Sequence, residues 1–200
     1  ASQFPQWAHL RIQQVDSAGT DNAIFRLGDD MAVRMPRADW AIGQVEKEQR
    51  WLPLLAPLVP LSIPVPLAMG VPGDGYPRNW SIYKWLEGEN ATVASLESQQ
   101  QAATALAHFI TAIQGIDTSD GPAPVTHSSG RGVPLALRDE AVREAIAKLI
   151  DIIDTDAATA VWEQALQATV WQGRPVWLHG DLHPGNILIE QGRLSAVIDF

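Results

Sequence analysis

The 200-residue sequence contains no cysteine. That excludes a disulfide framework and a thiolate metal site, and it is compatible with a reducing cytoplasm, the compartment expected here. The chain also lacks any apolar run near the length needed to span a bilayer, so no membrane partner is expected. Its opening residues, ASQFPQWAHLRIQQ, lack the cationic start and apolar stretch of an export signal. Basic side chains are scarce, with 14 Lys and Arg against 23 Asp and Glu and a net charge of −9. This argues against a nucleic-acid backbone as partner. No repeat period is evident.

What remains is a globular composition, 46% hydrophobic and 18% charged, with enough apolar material for a core. The length allows one large or two small domains. Charge is uneven: residues 1–90 hold ten acidic and eight basic side chains, residues 91–200 thirteen and six. An acidic second half would attract a cationic small molecule; an acidic surface also serves solubility.

The first part of the chain reads as strands. His9–Val15, Ala23–Leu27 and Met31–Met35 have strand character, with a turn-rich stretch at 16–22 and a hairpin turn at Gly28-Asp29-Asp30. Ala38–Leu55 reads as a helix with Trp40, Val45, Trp51, Leu52 and Leu55 as its apolar positions. Pro53–Pro77 holds seven of the fourteen prolines, which disfavours a long helix or a central strand there. Val65–Met69 suits an edge strand and Trp80–Leu86 an alternating one. Three helices are expected next. Leu96–Ile116 carries a stripe of Leu96, Ala103, Leu106, Ile110 and Ile113; Arg138–Ile153 and Asp156–Trp171 follow. Strands first and helices later is an α+β arrangement with two lobes. We place the boundary at Glu87–Asn90, giving 1–88 and 89–200, with the site expected between the lobes.

The last stretch, VWLHGDLHPGNILIEQGRLSAVIDF, carries the chemistry. Val176–Leu178 reads as a strand entering the loop His179–Asn186, Ile187–Ile189 leaves it, and Leu194–Ile198 leads to Asp199-Phe200. An Asp, an Asn and a second Asp in this order suit phosphoryl transfer to a hydroxyl. One carboxylate takes the hydroxyl proton, while an amide oxygen and the other carboxylate hold magnesium against nucleotide phosphates. The spacing follows H-R-D-x-x-x-x-N and then D-F-G, with Gly180 in place of the Arg.

HGDLHPGNIL followed by VIDF resembles the aminoglycoside phosphotransferase family, whose fold is protein-kinase-like and which is related to choline kinases and macrolide phosphotransferases. The resemblance extends from about Gln13 to Phe200 and includes the SAGTDNAIFRLGDD loop ahead of MAVRMPR. It implies the following roles. Asp181 is the catalytic base, and Asn186 and Asp199 hold Mg2+. Ser17, Gly19 and Thr20 lie in the loop above the phosphates of ATP, or of GTP. Arg34 replaces the strand Lys and contacts phosphate, held by Glu48 or, failing that, Glu46. Main chain at Lys84, Trp85 and Leu86 reads the base. His179 braces the catalytic loop, and His183 is a candidate phosphate contact.

The function implied is transfer of a γ-phosphate to a hydroxyl of a small cationic molecule, an aminoglycoside first, as in antibiotic resistance. Members of the family continue beyond the IDF motif, so a second lobe incomplete at Phe200 is also expected. Two other readings stay open. One is a nucleotide-binding module without turnover, suggested by the Arg-for-Lys change. The other is an acidic interaction domain with a chance motif.

Overall fold

The structure is a computed structural model. It describes residues 2–15, 21–38, 43–92, 95–122 and 131–200. Ser17, Gly19, Thr20 and Trp40 lie outside the described residues. The chain forms two compact units, Ala1–Ile116 with Asp181–Phe200, and Asp117–Gly180.

The first unit contains two antiparallel sheets. β1 (Ile12–Gln14), β2 (Asn22–Leu27), β3 (Met31–Pro36), β4 (Pro66–Gly70) and β5 (Trp80–Lys84) form a sheet in the order β1-β2-β3-β5-β4. The proline-containing β4 lies at its edge, where a missing N–H costs no ladder bond. Gly28 adopts φ +59 and closes the β2–β3 hairpin. Register then sorts the side chains. Val33 stands opposite Phe25 and Ile82. These residues join Leu27, Met31, Met35 and the aromatic rings of Phe4, Trp7 and Trp80 in one apolar cluster.

The opposite face of the same sheet carries Arg34 and Tyr83, and Glu48 of α1 (Gln44–Leu55) bonds to both. Val45, Leu52 and Leu55 of α1 are buried with Glu48. Pro53 sits inside the helix, yet α1 runs on to Leu55.

β6 (Glu89–Asn90), β7 (Ile187–Glu190) and β8 (Arg193–Val197) form the second sheet. The five-stranded sheet thus ends before Gly88 and the three-stranded one begins after it. α2 (Gln99–Gly115) starts at Ser98, whose hydroxyl accepts from the Gln101 N–H. Its buried residues are Phe109 and Ile113, while Leu96 is exposed. Of the expected stripe, Ile113 is buried, Leu106 and Ile110 are half-buried, Ala103 is exposed and Leu96 lies before the helix; Phe109, edge-on to Phe200 at 6.4 Å, is the buried residue that the stripe omits.

In the second unit, α3 (Asp139–Lys148) and α4 (Thr155–Leu166) are both shorter than the periodicity predicts. α3 gives way at Leu149, whose backbone is non-helical, and Asp154 then opens α4, its carboxylate accepting from the Ala157 N–H at 2.9 Å. Ile150 and Ile152 are left exposed in the turn. Asp139 accepts from both Arg143 Nε and Trp162 Nε1, at 2.8 and 2.7 Å.

The expected strand Val176–Leu178 does not form. Trp177 instead donates its indole N–H to the Asp117 carbonyl at 2.9 Å. The hairpin of the terminal stretch is β7–β8, turned at Gln191-Gly192. No helix among the described residues is long and apolar enough to cross a membrane.

Candidate active site

Arg34 is the hub of the site. Its strand position turns it away from the apolar cluster, and antiparallel register sets Ser81 opposite it and Asn22 diagonal to it. Nη1 donates to Glu48 Oε1 at 2.8 Å and Nη2 to Asp199 Oδ1 at 2.6 Å. With the Asn22 amide turned to satisfy both partners, its oxygen accepts from Nη2 at 3.0 Å and Nε at 3.1 Å. One planar guanidinium therefore ties together β2, α1 and the segment after β8. Burial disfavours its charge, but the Glu48 and Asp199 carboxylates outweigh that penalty and raise its pKa above the ordinary arginine value.

Glu48 is 4% exposed. A carboxylate that deep requires donors, and it has three. Arg34 and the Gln44 amide, at 3.1 Å, share Oε1, and the Tyr83 hydroxyl donates to Oε2. Burial first, and then the Glu48 charge and hydrogen bond, push the Tyr83 phenol well above its ordinary pKa, so it stays a donor. Glu46, two residues earlier on an exposed part of α1, accepts from Asn79 instead.

The loop before β7 is tied internally. The Asn186 amide donates to the Asp181 carbonyl at 3.1 Å, and the Asn186 main-chain N–H donates to the His183 carbonyl at 2.9 Å. His183 Nδ1 accepts from the Gly185 N–H at 3.1 Å, so the ring proton resides on Nε2. Asn90 of β6 donates to the Gly185 carbonyl. Across the hairpin, the Ile198 N–H donates to the Asn186 carbonyl at 2.9 Å, bringing Asn186 beside the residue that precedes Asp199. Asp199 itself adopts φ +67 and its side chain is 49% exposed.

Beyond β5, the Lys84 N–H is bound by the Val65 carbonyl at 3.0 Å and the Trp85 N–H by the Asp30 carbonyl at 2.7 Å. Arg26 lies over the Trp85 ring at 4.3 Å and reaches Glu87 at 3.0 Å. Among the described residues, Trp85 Nε1 is buried without a hydrogen-bond partner.

Sequence reasoning missed Asn22, Gln44 and Tyr83. Tyr83 had a legible signal, a polar tip two residues from Ser81 on the same face of an alternating strand. Gln44 lies one helical turn before Glu48, a spacing that brings side chains together.

The donor set suits a hard cation. Asp199 presents a half-exposed carboxylate, and Asn186, itself buried, has its amide nitrogen committed to the Asp181 carbonyl, which leaves its side-chain oxygen as the candidate ligand. Magnesium takes one or two protein oxygens and leaves the rest of its shell to water and phosphate. Among the described residues no group of three or more His, Cys, Asp or Glu could hold a metal ion.

These sheets and this helix define a two-lobed, protein-kinase-like α+β fold. The chain belongs to the phosphotransferase enzyme family, which matches residues 12–200. Its structure is similar to that of wild-type aminoglycoside 2'-phosphotransferase-IIIa in a GDP complex, with TM-score 0.76 and 23% identity over 99% of this chain and 69% of that one. A GDP and kanamycin complex of APH(2")-IIIa gives TM-score 0.76 at 21% identity, with the same coverage of both chains. Macrolide 2'-phosphotransferase MphH from Brachybacterium faecium, as apoenzyme, gives 0.65 at 20% identity over 99% and 69%. At such identities the likeness is one of fold. No curated protein matches the chain in sequence.

Proposed function

We propose that the protein transfers the γ-phosphate of ATP to a hydroxyl of a small cationic molecule of the aminoglycoside type. The observation that carries this reading is the single arginine spanning Glu48 and Asp199, with the Asp181–Asn186 loop bonded to the strand that leads into Asp199. The family and the fold supply the reaction class. Solved structures of the same fold are described with kanamycin, gentamicin and streptomycin. The acidic balance of the second half of the chain favours a cation over an anion.

In this reading Asp181 orients the acceptor hydroxyl and takes its proton as the new O–P bond forms. The bond between the γ-phosphorus and the β,γ-bridging oxygen breaks, and ADP leaves. Asn186 and Asp199 would hold Mg2+, which when bound neutralises phosphate charge. Arg34, restrained by Glu48, positions phosphate. Ser17, Gly19 and Thr20 cover it, and His183 Nε2–H is a further donor toward it. With two N–H groups already committed, base recognition falls to Leu86 and to the carbonyls of Lys84 and Trp85. GTP would serve in place of ATP if those groups suit guanine. The lobe boundary at Gly88/Glu89 is supported by the change of sheet there.

The direct test is Asp181→Asn in the full-length protein. Nucleotide affinity is expected to stay within about twofold, while turnover on an aminoglycoside panel falls by about 10²–10⁴, the usual share of a general base. Unchanged turnover removes Asp181 from its role. Magnesium-dependent nucleotide binding without transfer to any alcohol would favour a module without turnover.

A further inference from the structure

We propose that Gln44 is a positioning residue that holds Asp199 in place through the main chain of Phe200. The inference rests on the reading of Asp199 as a magnesium-holding side chain. Gln44 is the first residue of α1, one turn before Glu48. Its amide nitrogen donates to the Phe200 carbonyl at 2.7 Å and to Glu48 Oε1 at 3.1 Å. Both amide protons are therefore used, one on each side.

Asp199 is where this matters. Its φ of +67 is a left-handed conformation for a non-glycine residue, which persists only when the surroundings over-determine it. Arg34 Nη2 holds the carboxylate at Oδ1, but that bond does not fix the peptide carrying the side chain. The main chain is tied on both sides of Asp199: the Ile198 N–H before it donates to the Asn186 carbonyl at 2.9 Å, and the Phe200 carbonyl after it accepts from the Gln44 amide. With the Arg34 bond to Oδ1, these two anchors fix where Asp199 presents its second carboxylate oxygen. The Arg34 and Gln44 restraints meet on one buried atom, Glu48 Oε1, which accepts from both. The result is a closed ring running Arg34, Asp199, Phe200, Gln44, Glu48 and back to Arg34. A carboxylate at position 44 would place three acceptors together, so the donor-bearing amide is what the ring requires.

The experiment measures ATP affinity of the full-length protein by calorimetry, with chelator and across a magnesium titration. Gln44→Met keeps the side-chain length and helix propensity but removes both donors. We expect the magnesium-dependent gain in ATP affinity to fall about tenfold, as for loss of a bond to a charged network. Metal-free affinity falls by a smaller factor, since Arg34 keeps its own bonds to Glu48 and Asp199. In the Asp199→Asn background, Gln44→Met adds nothing further. Gln44→Glu, read by the same criteria, is expected to lose at least as much, and it decides the question if Gln44→Met fails to fold. An unchanged magnesium dependence, an equal loss without metal, or an additive loss in the Asp199→Asn background overturns the positioning role alone. A wild-type protein without magnesium-dependent ATP binding overturns it together with the proposed function.

Discussion

At the residue scale the site depends on one cation meeting two carboxylates and an amide. Lysine at position 34 would keep the charge but offer one nitrogen where Arg34 uses three, so it cannot span Glu48, Asp199 and Asn22 together. Arg34→Lys is expected to weaken nucleotide binding about tenfold and to cost about 1–3 kcal/mol of stability, measured by calorimetry and urea unfolding. Tyr83→Phe removes the donor to Glu48 Oε2 inside the fold. The loss is expected to be about 1–3 kcal/mol. Its pH dependence has a definite sign. Burial, then the Glu48 charge and hydrogen bond, raise the folded-state phenol pKa above its unfolded value, which is about 10. The stabilisation is therefore complete below about pH 10 and is lost as pH rises toward the folded-state value. Urea unfolding across this alkaline range should show a steeper decline in the wild type than in Tyr83→Phe.

At the scale of elements, the site follows from strand register. Antiparallel pairing of β3 with β5 puts Ala32 opposite Tyr83 and Arg34 opposite Ser81, so Arg34 and Tyr83 share a face and converge on a single helical glutamate. A one-residue slip would turn Arg34 into the apolar cluster. The passage from the first sheet to the second depends on Gly88, which adopts φ +124 and lies so close to β7 that an added Cβ would stand 2.9 Å from the Ile189 carbonyl oxygen. Gly88→Ala is expected to destabilise the protein by about 1–3 kcal/mol through backbone strain. Hydrogen exchange of the β6 and β7 amides, which pair at Glu89–Ile189 and Asn90–Leu188, should increase locally in that variant.

At the scale of the whole molecule, a ligand that bridges residues 165 positions apart in sequence must couple to folding. Arg34 and Asp199 are such a pair, and nucleotide with magnesium would engage both. Saturating the protein at about one hundred times its dissociation constant adds about 2.7 kcal/mol. For a chain of this size that corresponds to a rise in melting temperature of about 5–10 °C. Differential scanning calorimetry should show this rise with ATP and magnesium together, and a much smaller one in Asp199→Asn.

The sequence by itself determined the strand-then-helix order, the edge position of the proline-bearing strand, and the spacing of Asp181, Asn186 and Asp199. These rest on local rules: proline lacks a donor, a hairpin has fixed reach, and residues eighteen or fewer apart on a tight loop and hairpin cannot separate far. Tertiary structure alone decided which side chains meet. Glu46 and Glu48 differ by two positions, about 200° around a helix, and only the docking of α1 on the sheet selects Glu48 for Arg34. Asn22, Gln44 and Tyr83 join for the same reason, through register and helix phase. Val176–Leu178 shows the converse. Its apolar composition permits a strand, but a strand also needs a partner's hydrogen-bonding edge, which composition does not supply; in the fold the segment is not a strand and Trp177 bonds to the Asp117 carbonyl.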